Sequence, residues 1–167
     1  MDKRYFIIII IIFVCCINLY LVSNVSDVIG SAYVDTGNYT LTIPNGFSLQ
    51  EDKSNQVMIY NPNSNMYITI ISSLVKNDNF LNKYEEINND TDYKILSNGT
   101  INFNGIEIDS MFYQNVKNLD NRSTFYFTRY DNNFRILITG FDYNTQKDEV
   151  INLTCAMIES IRFNYKI

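Results

Sequence analysis

The chain has 167 residues, 13 Lys and Arg against 18 Asp and Glu (formal charge −5), three Cys and no His. That length allows one packed domain. A mildly acidic chain without a basic run argues against nucleic-acid binding, and the lack of His removes Ser-His-Asp and Cys-His catalysis.

Met1-Asp2-Lys3-Arg4 precedes an almost unbroken apolar run, Tyr5–Val22, in which Asn18 is the one strongly polar interruption. The basic flank is expected to stay cytoplasmic and send the rest of the chain outward. At about 18 residues the run lies between a signal core and a spanning helix. Both readings stay open: a removed signal, with Gly30-Ser31-Ala32 as the small-x-small cleavage candidate, or a retained anchor. Residues 1–22 are thus a signal peptide or membrane anchor, 23–37 a spacer and 38–167 the domain. The domain is expected on the extracytoplasmic side of the cell membrane, or secreted if the leader is cleaved. Cys15 and Cys16 lie inside the run, and the bulky Phe13-Val14 before them does not fit a lipoprotein signal. Cys155 is alone in the domain, so the fold holds without an internal disulfide.

Beyond the spacer the pattern is α+β. Tyr39, Leu41 and Ile43 alternate with Asn38, Thr40 and Thr42 as a half-buried strand that ends at Pro44-Asn45-Gly46. Gln56–Asn61 and Met66–Ser73 form a hairpin across Asn61-Pro62-Asn63. Phe80, Leu81, Tyr84 and Ile87 recur at helical spacing within 77–89, with Asp78 as the expected N-cap. Tyr93–Phe103 and Ile106–Val116 are joined by Asn104-Gly105, a strong two-residue hairpin signal. Ser123–Tyr130 and Phe134–Tyr143 flank Asp131-Asn132-Asn133, another hairpin. Thr145-Gln146-Lys147-Asp148 is expected to box the start of a helix ending near Ser160. Val150, Ile151, Leu153, Cys155, Met157, Ile158 and Ile161 form its apolar stripe, which makes Cys155 a packing thiol. Ile161–Tyr165 is the last strand.

Tyr39-Thr-Leu-Thr-Ile43-Pro44-Asn45-Gly46-Phe47 resembles the opening of PsbP-like domains, and Ile158-Glu159-Ser160-Ile161-Arg162-Phe163 resembles their closing helix, small residue and strand. The resemblance covers most of Asn38–Tyr165. It implies the single α/β/α sandwich domain, with a mainly antiparallel sheet, that PsbP shares with the Ran-binding Mog proteins. It also implies that helices cover both sheet faces, and that the role is that of a non-catalytic binding or accessory module. The family's metal sites use His and carboxylates, and this chain has no His.

Three groups of residues are candidates for function. Glu107 and Asp109 share one strand face two residues apart, suited to holding a cation or to acid–base work. Tyr126 and Tyr130 share one side of an aromatic strand and form a candidate exposed aromatic platform for a glycan or protein. Six Asn-x-Ser/Thr sites occur, at Asn24, Asn38, Asn89, Asn98, Asn121 and Asn152, of which Asn89, Asn98 and Asn121 lie nearest expected loops. No catalytic residue, metal ligand or cofactor is expected. The partners expected are a membrane, through Tyr5–Val22, and a protein or glycan. The rivals to a binding domain are an exported enzyme using carboxylates alone and a surface glycoprotein or adhesin subunit.

Overall fold

The computed structural model describes residues 33–53, 55–73, 79–130 and 132–164. The apolar run, Cys15, Cys16, Asn24 and Asp78 lie outside these residues. Among the described residues no helix is long and apolar enough to cross a membrane.

In chain order the elements are β1 (Tyr33–Asp35), β2 (Tyr39–Thr42), β3 (Ser48–Lys53), β4 (Gln56–Asn61), β5 (Met66–Ser73), α1 (Phe80–Asn89), β6 (Tyr93–Phe103), β7 (Ile106–Asn115), β8 (Asn121–Arg129), β9 (Asn132–Thr139), α2 (Tyr143–Ser160) and β10 (Arg162–Phe163). Seven strands form one antiparallel sheet in the order β3-β4-β5-β9-β8-β7-β6, and β1-β2-β10 form a second, smaller one. This is the expected α+β sandwich with a mainly antiparallel sheet. Strand β1 falls within the stretch read as spacer and pairs with β2. Strand β3 was not foreseen. Its Ser-Leu-Gln-Glu-Asp-Lys sequence does not alternate, it carries a bulge, and its charged residues protect an exposed sheet edge.

Period-two alternation gives the large sheet two unlike faces. Register aligns Phe125 with Ile136, Phe127 with Phe134, Ile70 with Ile136 and Ile59 with Ile68, all on one face. These side chains are buried together with Val150, Leu153, Met157 and Ile158 of α2 and with Tyr39 and Leu41 of the small sheet. Among the described residues the opposite face meets α1, through a small cluster of Ile87, Met111 and Tyr113 with Phe80, Tyr84 and Tyr93 around it. Each face has a helix, but among the described residues the second is only partly covered.

Polar groups fix α2 against its layer. The Ser160 hydroxyl donates to the Met157 carbonyl at 2.8 Å and accepts from the Thr42 amide at 3.1 Å, joining the helix end to β2. Arg129 Nη1 donates to the carbonyls of Ile158 and Ile161, at 3.2 and 3.3 Å, where a cation also complements the helix dipole.

Both expected caps move. Asn79, one residue after Asp78, accepts from the Asn82 amide and starts α1 at Phe80. Asp142 caps α2, accepting from the Asn144 amide, while Gln146 Oε1 accepts from the Asp142 amide. The reciprocal exchange expected of Thr145 is thus made by an Asp three residues earlier. It places Tyr143 in the first turn of α2 and not in a strand, with its ring 5.4 Å from that of Phe112.

Gly46 has φ +80° and lies in a turn closed by the Phe47 amide donating to the Pro44 carbonyl. Gly140 has φ +84°, and a Cβ there would sit 2.2 Å from the Asn65 carbonyl oxygen, a backbone atom. At Gly46 the nearest atom to a Cβ would be the Asn61 side-chain nitrogen, at 3.1 Å, a milder approach and to a side chain rather than to backbone. Gly140→Ala is therefore expected to cost more than Gly46→Ala: about 1 kcal/mol for the left-handed backbone at either site, and about 2 kcal/mol or more in total where the clash adds. Thermal unfolding of the two variants checks the order.

The Tyr39 hydroxyl is buried without a hydrogen-bond partner among the described residues. Burial, with a smaller contribution from Asp52, pushes its pKa up to about 12. An unfolded tyrosine ionises near pH 10. Between about pH 10 and 12 the unfolded chain releases a proton that the folded chain keeps, so stability falls as pH rises through this window. Tyr39→Phe is expected to match or exceed the parent's stability at pH 7 and to remove this part of the alkaline loss, as read by urea unfolding at pH 8 and pH 11.

Candidate functional site

The partly covered face carries the candidate site. Strands β7 and β8 direct Glu107, Asp109, Tyr126 and Thr128 to it, because these positions alternate with the buried Ile108, Phe125 and Phe127. The first turn of α1 brings Asn79 and Phe80 over them. With Asn102 and Asn133 these residues line a cleft of about 570 Å3.

The chemistry of the cleft is acidic and amide-rich. Asp109 is half-buried and its Oδ1 accepts from Thr100 Oγ1 at 2.8 Å, while Glu107 is exposed. Neither carboxylate forms an ion pair with a described residue. The Thr128 hydroxyl donates to Asn133 Oδ1 at 2.9 Å on the rim. Tyr126 closes the floor, 6% exposed, with the Phe80 ring edge-on at 6.2 Å and its hydroxyl accepting from Arg135 Nη1 at 3.2 Å. Among the described residues no three His, Cys, Asp or Glu side chains converge as a metal would need.

The expected face is thus brought together in part. Glu107, Asp109 and Tyr126 share the cleft, but Tyr126 is covered and offers no open ring. Tyr130 is 62% exposed and lies elsewhere. β8 ends at Arg129, and Tyr130 turns to φ +51°, which breaks the alternation that would have aligned it with Tyr126. Its ring instead meets Phe163 edge-on at 5.3 Å, beneath the Arg129 guanidinium. Asn79, Phe80, Asn102 and Asn133 were missed. They come from other elements: the hairpin signals at Asn104-Gly105 and Asp131-Asn132-Asn133 placed Asn102 and Asn133 near turns, and the helical spacing placed Phe80 on α1, but nothing in the sequence joined them. Cys155 is buried on α2 as expected, and burial pushes its thiol pKa up.

Two further concavities are formed by described residues. One, of about 140 Å3, lies against α1 and is lined by Lys83, Arg122, Arg135 and Thr124 among others. The other, of about 470 Å3, lies on the opposite side, between the Pro44–Phe47 turn and Glu149, Asn152 and Leu153 of α2.

The glycosylation candidates are placed unequally. Asn89 is the exposed last residue of α1. Asn98 is exposed but sits within β6, not in a loop. Asn121 is half-buried: its Nδ2 donates to the Phe141 carbonyl at 3.2 Å and its Oδ1 accepts from Gln114 at 2.9 Å. A glycan on Asn121 must attach at the nitrogen that makes this bond. When the chain is secreted by a host that N-glycosylates, occupancy is expected at Asn89 and Asn98 well above that at Asn121. Glycopeptide mass spectrometry reads this directly, and full occupancy at Asn121 would refute it.

No family model matches the chain. No curated protein matches it by sequence. Solved structures do. The solution structure of the cyanobacterial PsbP, CyanoP, from Synechocystis sp. PCC 6803 matches with a TM-score of 0.54 at 15% identity, over 84% of this chain and 96% of that one. The Ran-binding protein Mog1p of Saccharomyces cerevisiae matches with a TM-score of 0.53 at 14% identity, over 81% of this chain and 96% of that one. At such identities the likeness is one of fold, and the chain has the PsbP/Mog1-like fold.

Proposed function

We propose that this chain is an extracytoplasmic accessory domain, anchored at a membrane by Tyr5–Val22 or released from it, whose acidic cleft receives a basic segment of a protein partner. The observation that carries the reading is the pair Glu107 and Asp109, which face one cleft without a neutralising cation among the described residues. Two such carboxylates two residues apart on a strand set up a local negative potential that selects Lys or Arg. The surrounding Asn102, Thr128 and Asn133 add hydrogen-bonding groups suited to a peptide backbone. A glycan platform is less favoured, because Tyr126 is covered by Phe80 and Arg135. A protein of the same fold is described as Ran-binding, which agrees with protein docking on this scaffold but transfers no partner. The outward placement is supported by Lys3 and Arg4 before the apolar run.

The test is a titration of the isotope-labelled full chain, in detergent micelles, with a Lys/Arg-rich decapeptide and with a neutral oligosaccharide. The peptide is expected to shift amide signals of Asn102, Glu107, Asp109, Thr128 and Asn133, and to bind more weakly as salt rises. The double variant Glu107→Gln, Asp109→Asn should lose about tenfold in affinity. Peptide shifts that avoid the cleft, or survive the double variant, would defeat the proposal. Binding of the oligosaccharide alone would move the partner to a glycan.

A further inference from the structure

The two outer strands of the large sheet are unlike. Strand β3, at one edge, has six residues, a bulge between Leu49 and Glu51, and the charged side chains of Glu51, Asp52 and Lys53. Bulges and charges of this kind keep foreign strands off an edge. Strand β6, at the other edge, has eleven residues. Its residues 97–103 pair one for one with β7 and carry no charged side chain. Among the described residues no strand pairs with the outer side of β6. Seven regular residues give an edge of about 23 Å, whose outward amides and carbonyls template a further strand.

This edge borders the acidic cleft. Register sets Asn102 opposite Glu107 and Thr100 opposite Asp109, on the partly covered face, while Ile101 stands opposite Ile108 on the face packed by α2. The two β6 side chains nearest the carboxylates are short and turned onto their own hairpin. Asn102 Oδ1 accepts from the Gly105 amide at 3.3 Å, and Thr100 Oγ1 donates to Asp109 Oδ1 at 2.8 Å.

We infer that the partner's basic segment joins the sheet as an added strand along β6, and that it carries a basic–apolar–basic triplet. The inference rests on the cleft reading above and specifies its occupant. An added strand lies about 4.8 Å beyond β6, and about twice that from β7. Its residues two apart share one face, so one stands in the Asn102–Glu107 row and the next in the Thr100–Asp109 row. Lys and Arg have stems long enough to pass over Asn102 and Thr100 and bring their charges to the two carboxylates. The residue between them faces the other way, beside the half-buried Ile101, where a β-branched apolar side chain gains contact. A helical segment does not present residues two apart on one side, so it would meet only one of the carboxylates. Backbone hydrogen bonds supply affinity, and the triplet supplies selection. A second copy of this chain suits the edge less well. The one charged side chain of β6 is Lys94, outside residues 97–103, so a second β6 brings no basic pair to Glu107 and Asp109.

The test uses the isotope-labelled full chain in detergent micelles and two decapeptides of one composition. In the first, three Lys alternate with two Val between serine flanks; in the second, the Lys are grouped and the Val are grouped. The alternating peptide is expected to bind about tenfold more tightly, and it alone should slow hydrogen exchange at the outward amides of residues 97–103. Methylating its backbone nitrogens removes its donors without changing its charge, and should abolish that protection. If neither peptide shifts the amide signals of Glu107 and Asp109, the cleft reading fails and the inference with it. If both shift those signals equally and β6 exchanges as before, the cleft reading stands and strand addition is overturned. Protection of β6 that grows with the concentration of the chain alone assigns the edge to a second copy, and also overturns the inference.

Discussion

The length of α1 sets the character of this domain. Ten helical residues span about 15 Å, whereas seven strands spaced about 4.8 Å apart extend roughly 29 Å from first to last. A helix that short cannot roof the sheet. It rests over β6 and β7, and its margins become the walls of concavities. On the other face α2 has 18 residues, about 27 Å, and is joined there by a small sheet, so that face is filled with side chains. Burial consolidates one face, and among the described residues the other is covered only in part.

Described residues form two clefts on the open face. The acidic cleft lies where Glu107 and Asp109 meet the N-terminal turn of α1, and the smaller cleft lies farther along the same helix, between Lys83 and the two arginines. Tyr126 and Arg135, aligned across β8 and β9 and bonded through the phenol oxygen, form the partition between them. There the Arg135 guanidinium donates to the Tyr126 hydroxyl oxygen at 3.2 Å.

Much of the fold was legible in the sequence. Alternation in Tyr39–Ile43 and the stripe Val150–Ile161 report burial directly, and both gave the elements found. The Pro44-x-Gly46 turn and Asn104-Gly105 could be read because positive φ limits which residues fit. What stayed illegible depended on competition or on distance. Several polar residues could cap either helix, and Asn79 and Asp142 prevailed over Asp78 and Thr145. β3 has no alternation because it lies at an edge. Tyr130 obeyed alternation on paper, but the strand stopped one residue short of it. The smaller cleft left no trace, because Lys83, Arg122 and Arg135 are joined only by the register of β8 with β9 and the placement of α1. A chain without a basic run still brings these three side chains around one cleft.

The central claim is that the face beneath α1, and not the face packed by α2, is where this domain meets its partner. Site-specific photocrosslinking in native membranes addresses it most directly, with the photoreactive residue placed in turn at Asn102, Glu107 and Thr128 around the acidic cleft, and at Asn45, Glu149 and Asn152 around the concavity beside α2. The account predicts one discrete crosslinked species from the first set and none from the second. The same species arising from the α2 set, with the α1 set silent, would contradict it.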